Sequence, residues 1–151
     1  MEWILYGATG VTGRLITQTA VRRGHRPILA GRNAEALRRL AEPDGLTWRT
    51  ADLDDEDAVG ELVAAAPLTL LAASTFNTAS LRLARACLAA GAHYLDLANE
   101  VPVLEAVYGL DDEARARGCH SASGCRFWHR SLRTRWPVTS WSSCQMRGSW
   151  I

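Results

Sequence analysis

Two hydrophobic patterns alternate along the first 118 residues of the chain. Short apolar runs fit buried strands, whereas longer stretches with apolar residues three and four positions apart fit amphipathic helices. The predicted strands are 3–6, 27–30, 47–51, 68–72 and 92–97, and the predicted helices are 10–23, 33–42, 54–65, 78–90 and 102–117. Glycine, proline or a capping side chain marks most ends of these segments. The alternation predicts an α/β fold, a Rossmann-type doubly wound parallel sheet.

The predicted first strand runs into a glycine-rich turn, GATGVTG at residues 7–13, that opens the predicted first helix. In such a turn the first glycine permits a tight bend, the second lets the backbone approach a pyrophosphate, and the third lets the helix sit close to the sheet. Free backbone N–H groups and the helix dipole then face the phosphates. The alternative is a glycine-rich turn that binds nothing. Its place between strand and helix favours a dinucleotide site, with predicted ligands Gly7, Thr9, Gly10, Val11, Thr12 and Gly13.

The end of the predicted second strand indicates which dinucleotide is bound. A site for NAD normally has Asp or Glu there, to accept a hydrogen bond from the ribose 2′-hydroxyl. This chain has Gly31, Arg32 and Asn33 instead. A carboxylate would repel a 2′-phosphate, whereas the Arg32 guanidinium can pair with it in a bidentate manner. Arg32 and Asn33 are therefore predicted to bind NADP, the alternative for Arg32 being an ordinary solvated arginine.

Three further residues follow predicted strands at the edge where a cofactor would lie. Asp52, after the third strand, is placed to approach the adenine, and a helix N-cap is its equally favoured alternative. Ala73 and Ser74 follow the fourth strand, where a bound dinucleotide crosses the sheet edge. All three complete the predicted cofactor site.

Segments 6–15 and 30–33 resemble the NADP-binding domain of saccharopine dehydrogenase-like oxidoreductases, particularly the trans-acting enoyl reductase group. Segment 93–100 is similar to that family's Tyr-x-Asp-x-x-Gly-Glu stretch. The resemblance covers residues 1 to about 118 and implies a two-domain NADP-dependent oxidoreductase with a separate α+β substrate domain after the Rossmann part.

The sequence departs from that family in two places near the expected nicotinamide end. The family usually has Gly-Pro-Phe after the fourth strand, where this chain reads ASTF at 73–76, and Asn99 replaces a usual glycine. The nearest polar candidates for that end are Tyr94, Asp96 and Glu100, and the catalytic residues stay unassigned. The alternatives are a half-buried strand residue for Tyr94 and a solvated charge at a helix start for Glu100.

Charge is distributed unevenly along the chain. The first 118 residues hold 12 of the 17 arginines and all 16 acidic residues, whereas 119–151 hold five arginines and no acid. The acidic main body gives no electrostatic reason to expect nucleic-acid binding. No apolar stretch is long enough to span a bilayer and no secretory signal is visible, so a cytoplasmic location is expected.

Residues 119–151 differ in kind from the rest. They contain four of the six tryptophans and three of the four cysteines without any hydrophobic period. We expect residues 1–118 to form the domain and 119–151 to be an irregular tail, either disordered or read in a shifted frame after about Gly124. The cysteines lack the paired spacing of a zinc site, so no metal is expected.

Two classes of function remain open. The first is the cofactor-binding part of an oxidoreductase, truncated and acting on a small molecule only if a substrate domain is present. The second is a non-catalytic NADP-binding sensor similar to NmrA-like proteins. A short-chain dehydrogenase is excluded because its Tyr-x-x-x-Lys pair needs a lysine, and this chain has none. We expect the sheet to be incomplete at its C-terminal end, because a shifted frame would remove the continuation of a sixth strand. The open sheet edge that results makes self-association a possibility.

Overall fold

The computed structural model describes residues 2–73, 78–98 and 100–123 of the chain. Its strands are β1 Ile4–Tyr6, β2 Ile28–Gly31, β3 Trp48–Thr50, β4 Leu68–Leu71, β5 His93–Asp96 and β6 Ser121–Ser123. Its α-helices are α1 Val11–Arg22, α2 Ala34–Ala41, α3 Glu56–Val63, α4 Thr78–Ala89, α5 Val101–Tyr108 and α6 Asp111–Ala116, and a short 3-10 helix occupies Glu42–Asp44. The predicted α/β alternation is confirmed.

All neighbouring strands are parallel, in the order β3-β2-β1-β4-β5-β6. The chain builds outwards from β1 in one direction through β2 and β3, and then crosses to β4 on the other side. The strand order therefore reverses between β1 and β4. In doubly wound sheets, ligands bind outside the carboxyl ends of the strands at such a switch point. The predicted cofactor residues at the ends of β1, β2 and β3 thus share one edge of the sheet.

Helices pack on both faces of this sheet. The larger buried cluster joins the sheet to α3, α4, α5 and α6, through side chains such as Leu62, Leu83 and Val107. The smaller cluster lies beneath α1 and α2 and includes Leu5, Leu29 and Leu37. None of the helices in the described part of the chain is long and apolar enough to cross a membrane.

The structure corrects two expectations about the C-terminal part of the domain. A sixth strand, which we expected to be missing, pairs with β5 through the registers Tyr94 to Ser121 and Asp96 to Ser123. Its small, mostly polar residues show no apolar alternation, so the pattern gave no strand signal. The sheet thereby continues past residue 118, the expected domain boundary. The rest of the expected tail, 124–151, lies outside the described residues.

The helix predicted at 102–117 is two helices, α5 and α6. The chain leaves α5 at Gly109, and Leu110, which precedes α6, is buried in the larger cluster. Glycine has a low helix propensity, and burial of the Leu110 side chain favours a change of direction at this point. The hydrophobic period of residues 102–117 therefore does not reveal the bend between α5 and α6.

Candidate cofactor-binding site

The turn after β1 is held by backbone contacts that only glycine permits. Gly7 has a φ of +86°, a conformation that side-chain-bearing residues rarely adopt. Its N–H donates to the Ala30 carbonyl at 2.8 Å, and the Ala8 N–H donates to the same oxygen at 3.3 Å. A Cβ on Gly7 would lie only 2.7 Å from the backbone nitrogen of Ala73. The predicted tight turn is therefore present, and it also brings the end of β4 close to the loop.

The other two glycines of the loop have different surroundings. A Cβ on Gly13 would lie 2.7 Å from the Ala8 Cα, because the first turn of α1 packs directly on the loop. A Cβ on Gly10 would have only the Gly7 carbonyl oxygen near it, at 3.4 Å. Packing within the protein therefore explains Gly7 and Gly13. It does not explain Gly10, whose missing side chain keeps the space in front of the loop open, as a pyrophosphate requires.

The N-terminus of α1 also fits a phosphate group. Gly10 is the N-cap and offers no side chain to the helix, and the first turn contains no acidic residue. The first helical hydrogen bond runs from the Arg14 N–H to the Gly10 carbonyl at 2.9 Å. The N–H groups of Val11, Thr12 and Gly13 have no acceptor among the residues that the structure describes. Together with the helix dipole, these three donors can receive an anion.

Arg32 lies directly after β2, and its side chain is exposed. Arg38 and Arg39 form ion pairs with Glu35, but Arg32 has no carboxylate partner within the described ranges. Its guanidinium is therefore available to an anionic ligand at this edge.

A buried tyrosine links the ends of β1 and β3 next to this arginine. The Tyr6 hydroxyl donates to the Ala51 carbonyl at 2.9 Å, across the intervening strand β2. Burial raises the pKa of Tyr6 above its ordinary value, Asp52 raises it further, and the charge of Arg32 acts in the opposite direction. Both charged groups thus lie near the Tyr6 hydroxyl. Sequence reasoning assigned no role to Tyr6, although an aromatic residue directly before the glycine-rich turn was visible.

The structure distinguishes Asn33 from Asp52 among the other predicted residues. Asn33 is the N-cap of α2, and its side-chain oxygen accepts the Ala36 N–H at 3.0 Å. Asp52 does not cap α3, because Asp55 does so by accepting the Ala58 N–H at 3.0 Å. One Asp52 oxygen accepts the Asp54 N–H at 3.1 Å, in a local turn. The helix-cap alternative for Asp52 is therefore wrong, and its carboxylate is exposed at the predicted edge.

The residues predicted after β4 are only partly described. Ala73 is half-buried and lies next to Gly7, which places it at the switch point. Ser74 and the departures from the family pattern at 75–76 and Asn99 lie outside the described residues.

Tyr94 and Asp96, proposed for the nicotinamide end, are buried and bonded to each other. Tyr94 is fully buried and Asp96 is 4% exposed. The Tyr94 hydroxyl donates to one Asp96 oxygen at 2.8 Å, and the other accepts the Ala98 N–H at 3.0 Å. Burial, followed by the Asp96 charge, raises the pKa of Tyr94 well above its ordinary value. The pair therefore holds the end of β5 inside the domain, and the burial of both side chains does not support a place for them at the nicotinamide end. Glu100 is exposed before α5.

A family model described as the saccharopine dehydrogenase NADP-binding domain matches residues 3–137. The chain belongs to this family. The resemblance stated from the sequence is thereby confirmed, and so is NADP as the cofactor of the domain. The match also continues past the expected boundary at residue 118.

Relatives with similar sequences are mycobacterial proteins. The chain is 34% identical over 104 residues to a putative trans-acting enoyl reductase of Mycobacterium tuberculosis, covering 64% of this chain and 25% of that protein. It is 33% identical over 107 residues to the trans-acting enoyl reductase of Mycobacterium ulcerans, covering 66% and 26%. The chain thus spans about a quarter of the length of these relatives.

Solved structures show the same fold. The apo saccharopine dehydrogenase (L-Glu forming) of Saccharomyces cerevisiae superposes with a TM-score of 0.69 at 17% identity, over 82% of this chain and 27% of that chain. The triphenylmethane reductase of a Citrobacter species complexed with NADP(H) gives 0.63 at 18% identity, over 80% and 48%. At these identities the likeness supports the Rossmann-type fold alone.

Proposed function

We propose that this chain is the cofactor-binding part of an NADP-dependent oxidoreductase of the enoyl reductase type, acting on a small molecule. One observation carries the proposal: unused N–H donors at the start of α1 and the unpaired guanidinium of Arg32 lie on one edge of the sheet. The names of the relatives support the reaction class. Because the chain spans about a quarter of their length, we propose that substrate is bound by residues outside the Rossmann domain.

The described residues hold the cofactor and do not react with it. The loop N–H groups of Val11, Thr12 and Gly13 bind the pyrophosphate, and Gly10 lets it approach. Arg32 pairs with the 2′-phosphate, and Asp52 lies beside the adenine. The nicotinamide ring, when bound, supplies or accepts the hydride. Tyr94 and Asp96 bond to each other inside the domain, so we assign neither of them as the proton donor.

Direct titration of the full chain with NADPH and NADH tests the assignment of Arg32. We expect Arg32→Ala to weaken NADPH binding by roughly 1–3 kcal/mol, as loss of a charged hydrogen bond does, and to leave NADH little changed. Arg22→Ala is the matched control, because Arg22 is exposed at the far end of α1. Equal losses for the two cofactors would contradict the role of Arg32.

Binding without hydride transfer would favour the alternative, a non-catalytic NADP sensor. To separate the two, the chain is loaded with NADPH and its absorbance at the nicotinamide band is followed with α,β-unsaturated acyl thioesters, alone and together with the remaining part of a mycobacterial relative. Oxidation of NADPH only in the reconstituted mixture supports the oxidoreductase. A mixture that binds NADPH but never oxidises it supports the sensor.

The reading-frame hypothesis stays a prediction, because Gly124 and everything after it lie outside the described residues. The family match runs to residue 137, beyond the suspected position. Sequencing the coding DNA from upstream of codon 124 to well beyond the stop tests it. The family resemblance implies a Gly-Ala-Gly-Phe segment after the sixth strand, and a one-base change that restores this segment and opens a long frame would support the hypothesis.

A further inference from the structure

The side chain of Arg14 lies on the flank of α1 that faces β2. Gly13 and Thr17 mark the buried face of this helix, and successive residues are rotated by about 100°. Arg14 therefore lies on one flank, and Thr12 lies on the opposite one. In the right-handed crossover that joins parallel strands, the flank of Arg14 is directed towards β2 and α2. Arg14 is thus on the side where Arg32 follows β2.

A hydrogen bond places the Arg14 guanidinium at the level of the phosphate loop. Its Nε donates to the Thr9 carbonyl at 2.9 Å, and the side chain is exposed. The two terminal nitrogens have no acceptor within the described part of the chain, and no carboxylate forms an ion pair with them there. The hydrogen bond to the loop therefore uses the Nε–H donor of the guanidinium and leaves the donors on the two terminal nitrogens available.

Arg14 and Arg32 differ in this respect from the arginines of the domain that form ion pairs. Arg38 and Arg39 pair with Glu35, and Arg82 pairs with Asp54 at 2.8 Å. At the edge formed by the ends of β1 and β2, the guanidinium groups of Arg14 and Arg32 have no carboxylate partner among the residues that the structure describes. A phosphomonoester carries a charge of about −1.5 to −2 near neutral pH, so two cations match it better than one.

We propose that Arg14 is a second specificity-determining residue for the 2′-phosphate of NADP, acting together with Arg32. The inference rests on the proposed role of Arg32. In this arrangement Arg32 approaches the phosphate from the end of β2, and Arg14 approaches it from the start of α1. The bond to Thr9 fixes the orientation of the Arg14 fork relative to the loop, so little side-chain freedom is lost on binding.

The competing explanation is that Arg14 only supports the loop through Thr9. The two roles predict different selectivity. A residue that only shapes the loop affects the pyrophosphate, which NADPH and NADH share. A residue that contacts the 2′-phosphate affects NADPH alone. The ratio of the two dissociation constants, rather than either value, therefore decides between the roles.

The test titrates NADPH, NADH and 2′-AMP into the full chain and its variants Arg14→Ala, Arg14→Gln, Arg32→Ala and Arg22→Ala, with thermal unfolding as the check on folding. For Arg14→Ala and Arg14→Gln we expect NADPH and 2′-AMP to bind roughly tenfold more weakly, the size of one charged hydrogen bond, and NADH to change less than about twofold. Arg22→Ala should leave all three dissociation constants unchanged.

Each other result overturns a distinct statement. Equal weakening of NADPH and NADH by both Arg14 variants would show a loop-supporting role and refute the inference. Unchanged NADPH binding in both folded variants would refute it as well. If Arg32→Ala is selective for NADPH while the Arg14 variants are not, the proposed function stands and only this inference fails. If Arg32→Ala is also unselective, the assignment of the 2′-phosphate site itself fails.

Discussion

A row of four leucines crosses the sheet, and its two ends are covered differently. The register places Leu29, Leu5, Leu70 and Leu95 side by side on β2, β1, β4 and β5. Leu29 and Leu5 are completely buried beneath α1 and α2, whereas Leu70 and Leu95 are half-buried. Parallel sheets are normally covered on both faces. Within the described ranges, β1 and β2 are buried on both faces, β3 is exposed at all three positions, and β4 and β5 are fully buried only at alternate positions.

The two halves also differ in the polar groups that lie at the carboxyl ends of their strands. On the β1–β3 half, the N–H groups of residues 11–13 and the Arg32 guanidinium have no protein partner in the described part of the chain. On the β4–β6 half, Tyr94 and Asp96 satisfy each other inside the domain. Within the described ranges, the β1–β3 half therefore offers free donors to a ligand at its carboxyl end, whereas the two polar side chains at the end of β5 bond to each other.

Truncation of leucines in the shared row gives the largest expected contrast. Leu29→Ala should lower the free energy of unfolding by about 2–5 kcal/mol, because a fully buried leucine leaves a cavity. Leu95→Ala should cost about 1 kcal/mol or less, since part of its surface already meets water. Chemical denaturation of both variants measures the difference. Similar losses would show that another part of the protein, or a second copy, covers Leu95 in solution.

The buried pair on β5 gives the next effect. Tyr94→Phe removes the donor to a buried carboxylate and should cost about 1–3 kcal/mol of stability, with NADPH binding unchanged. Because burial raises the pKa of Tyr94 above its ordinary value of 10.0, the folded state keeps the phenol protonated where the unfolded chain ionises. This stabilisation is complete below pH 10 and declines as the pH rises further.

To test this prediction, the free energy of unfolding is measured from about pH 8 to about pH 11, a range that brackets the ordinary tyrosine pKa. The variant should lose less stability at the alkaline end than the unaltered chain does. The pH dependence of Tyr6→Phe is measured for comparison with that of Tyr94→Phe, because Tyr6 is also buried and its pKa is also raised above the ordinary value. A clear loss of NADPH affinity in Tyr94→Phe, with folding intact, would return Tyr94 to the list of cofactor contacts.

Local signals explain which features could be predicted from the sequence. The loop at 7–13 was predictable because its glycines answer steric demands within a few residues, as the φ of Gly7 and the close approach of Gly13 to Ala8 show. Predicted strands such as 3–6, 27–30 and 68–72 have apolar runs that indicate burial directly, whereas β3 is exposed at all three positions. Arg32 was noticed because a single position at the end of β2 discriminates between dinucleotides.

Features that depend on tertiary contacts were missed. β6 is a strand because β5 offers it hydrogen bonds, such as the Tyr94 N–H to the His120 carbonyl at 2.9 Å, and its own residues give no pattern. Tyr94 and Asp96 are two positions apart and so share one face of β5, but the sequence did not show that α4 and α5 bury that face. The orientation of Arg14 towards β2 depends on how α1 packs on the sheet.

The last prediction separates cofactor binding from folding at the carboxyl ends of the β1–β3 half. Gly10→Ala adds a methyl group whose nearest protein atom is the Gly7 carbonyl oxygen at 3.4 Å. We expect stability to change by less than about 1 kcal/mol, the scale of a Gly-to-Ala exchange. NADPH and NADH should both bind about tenfold more weakly or worse, because the methyl group stands where the pyrophosphate approaches, and tenfold corresponds to 1.4 kcal/mol.

Gly60→Ala is the matched control for this variant, because Gly60 lies in α3 and a Cβ added there would meet open space beyond the helix's own backbone. It should stabilise the chain by about 0.5–1 kcal/mol and leave both cofactors unaffected. Loss of both cofactors in Gly10→Ala, set against loss of NADPH alone in Arg32→Ala, would assign the loop to the pyrophosphate and the end of β2 to the 2′-phosphate. Undiminished binding of both cofactors by a folded Gly10→Ala would mean that the pyrophosphate does not approach the loop here, and the edge of the β1–β3 half would lose its assigned ligand.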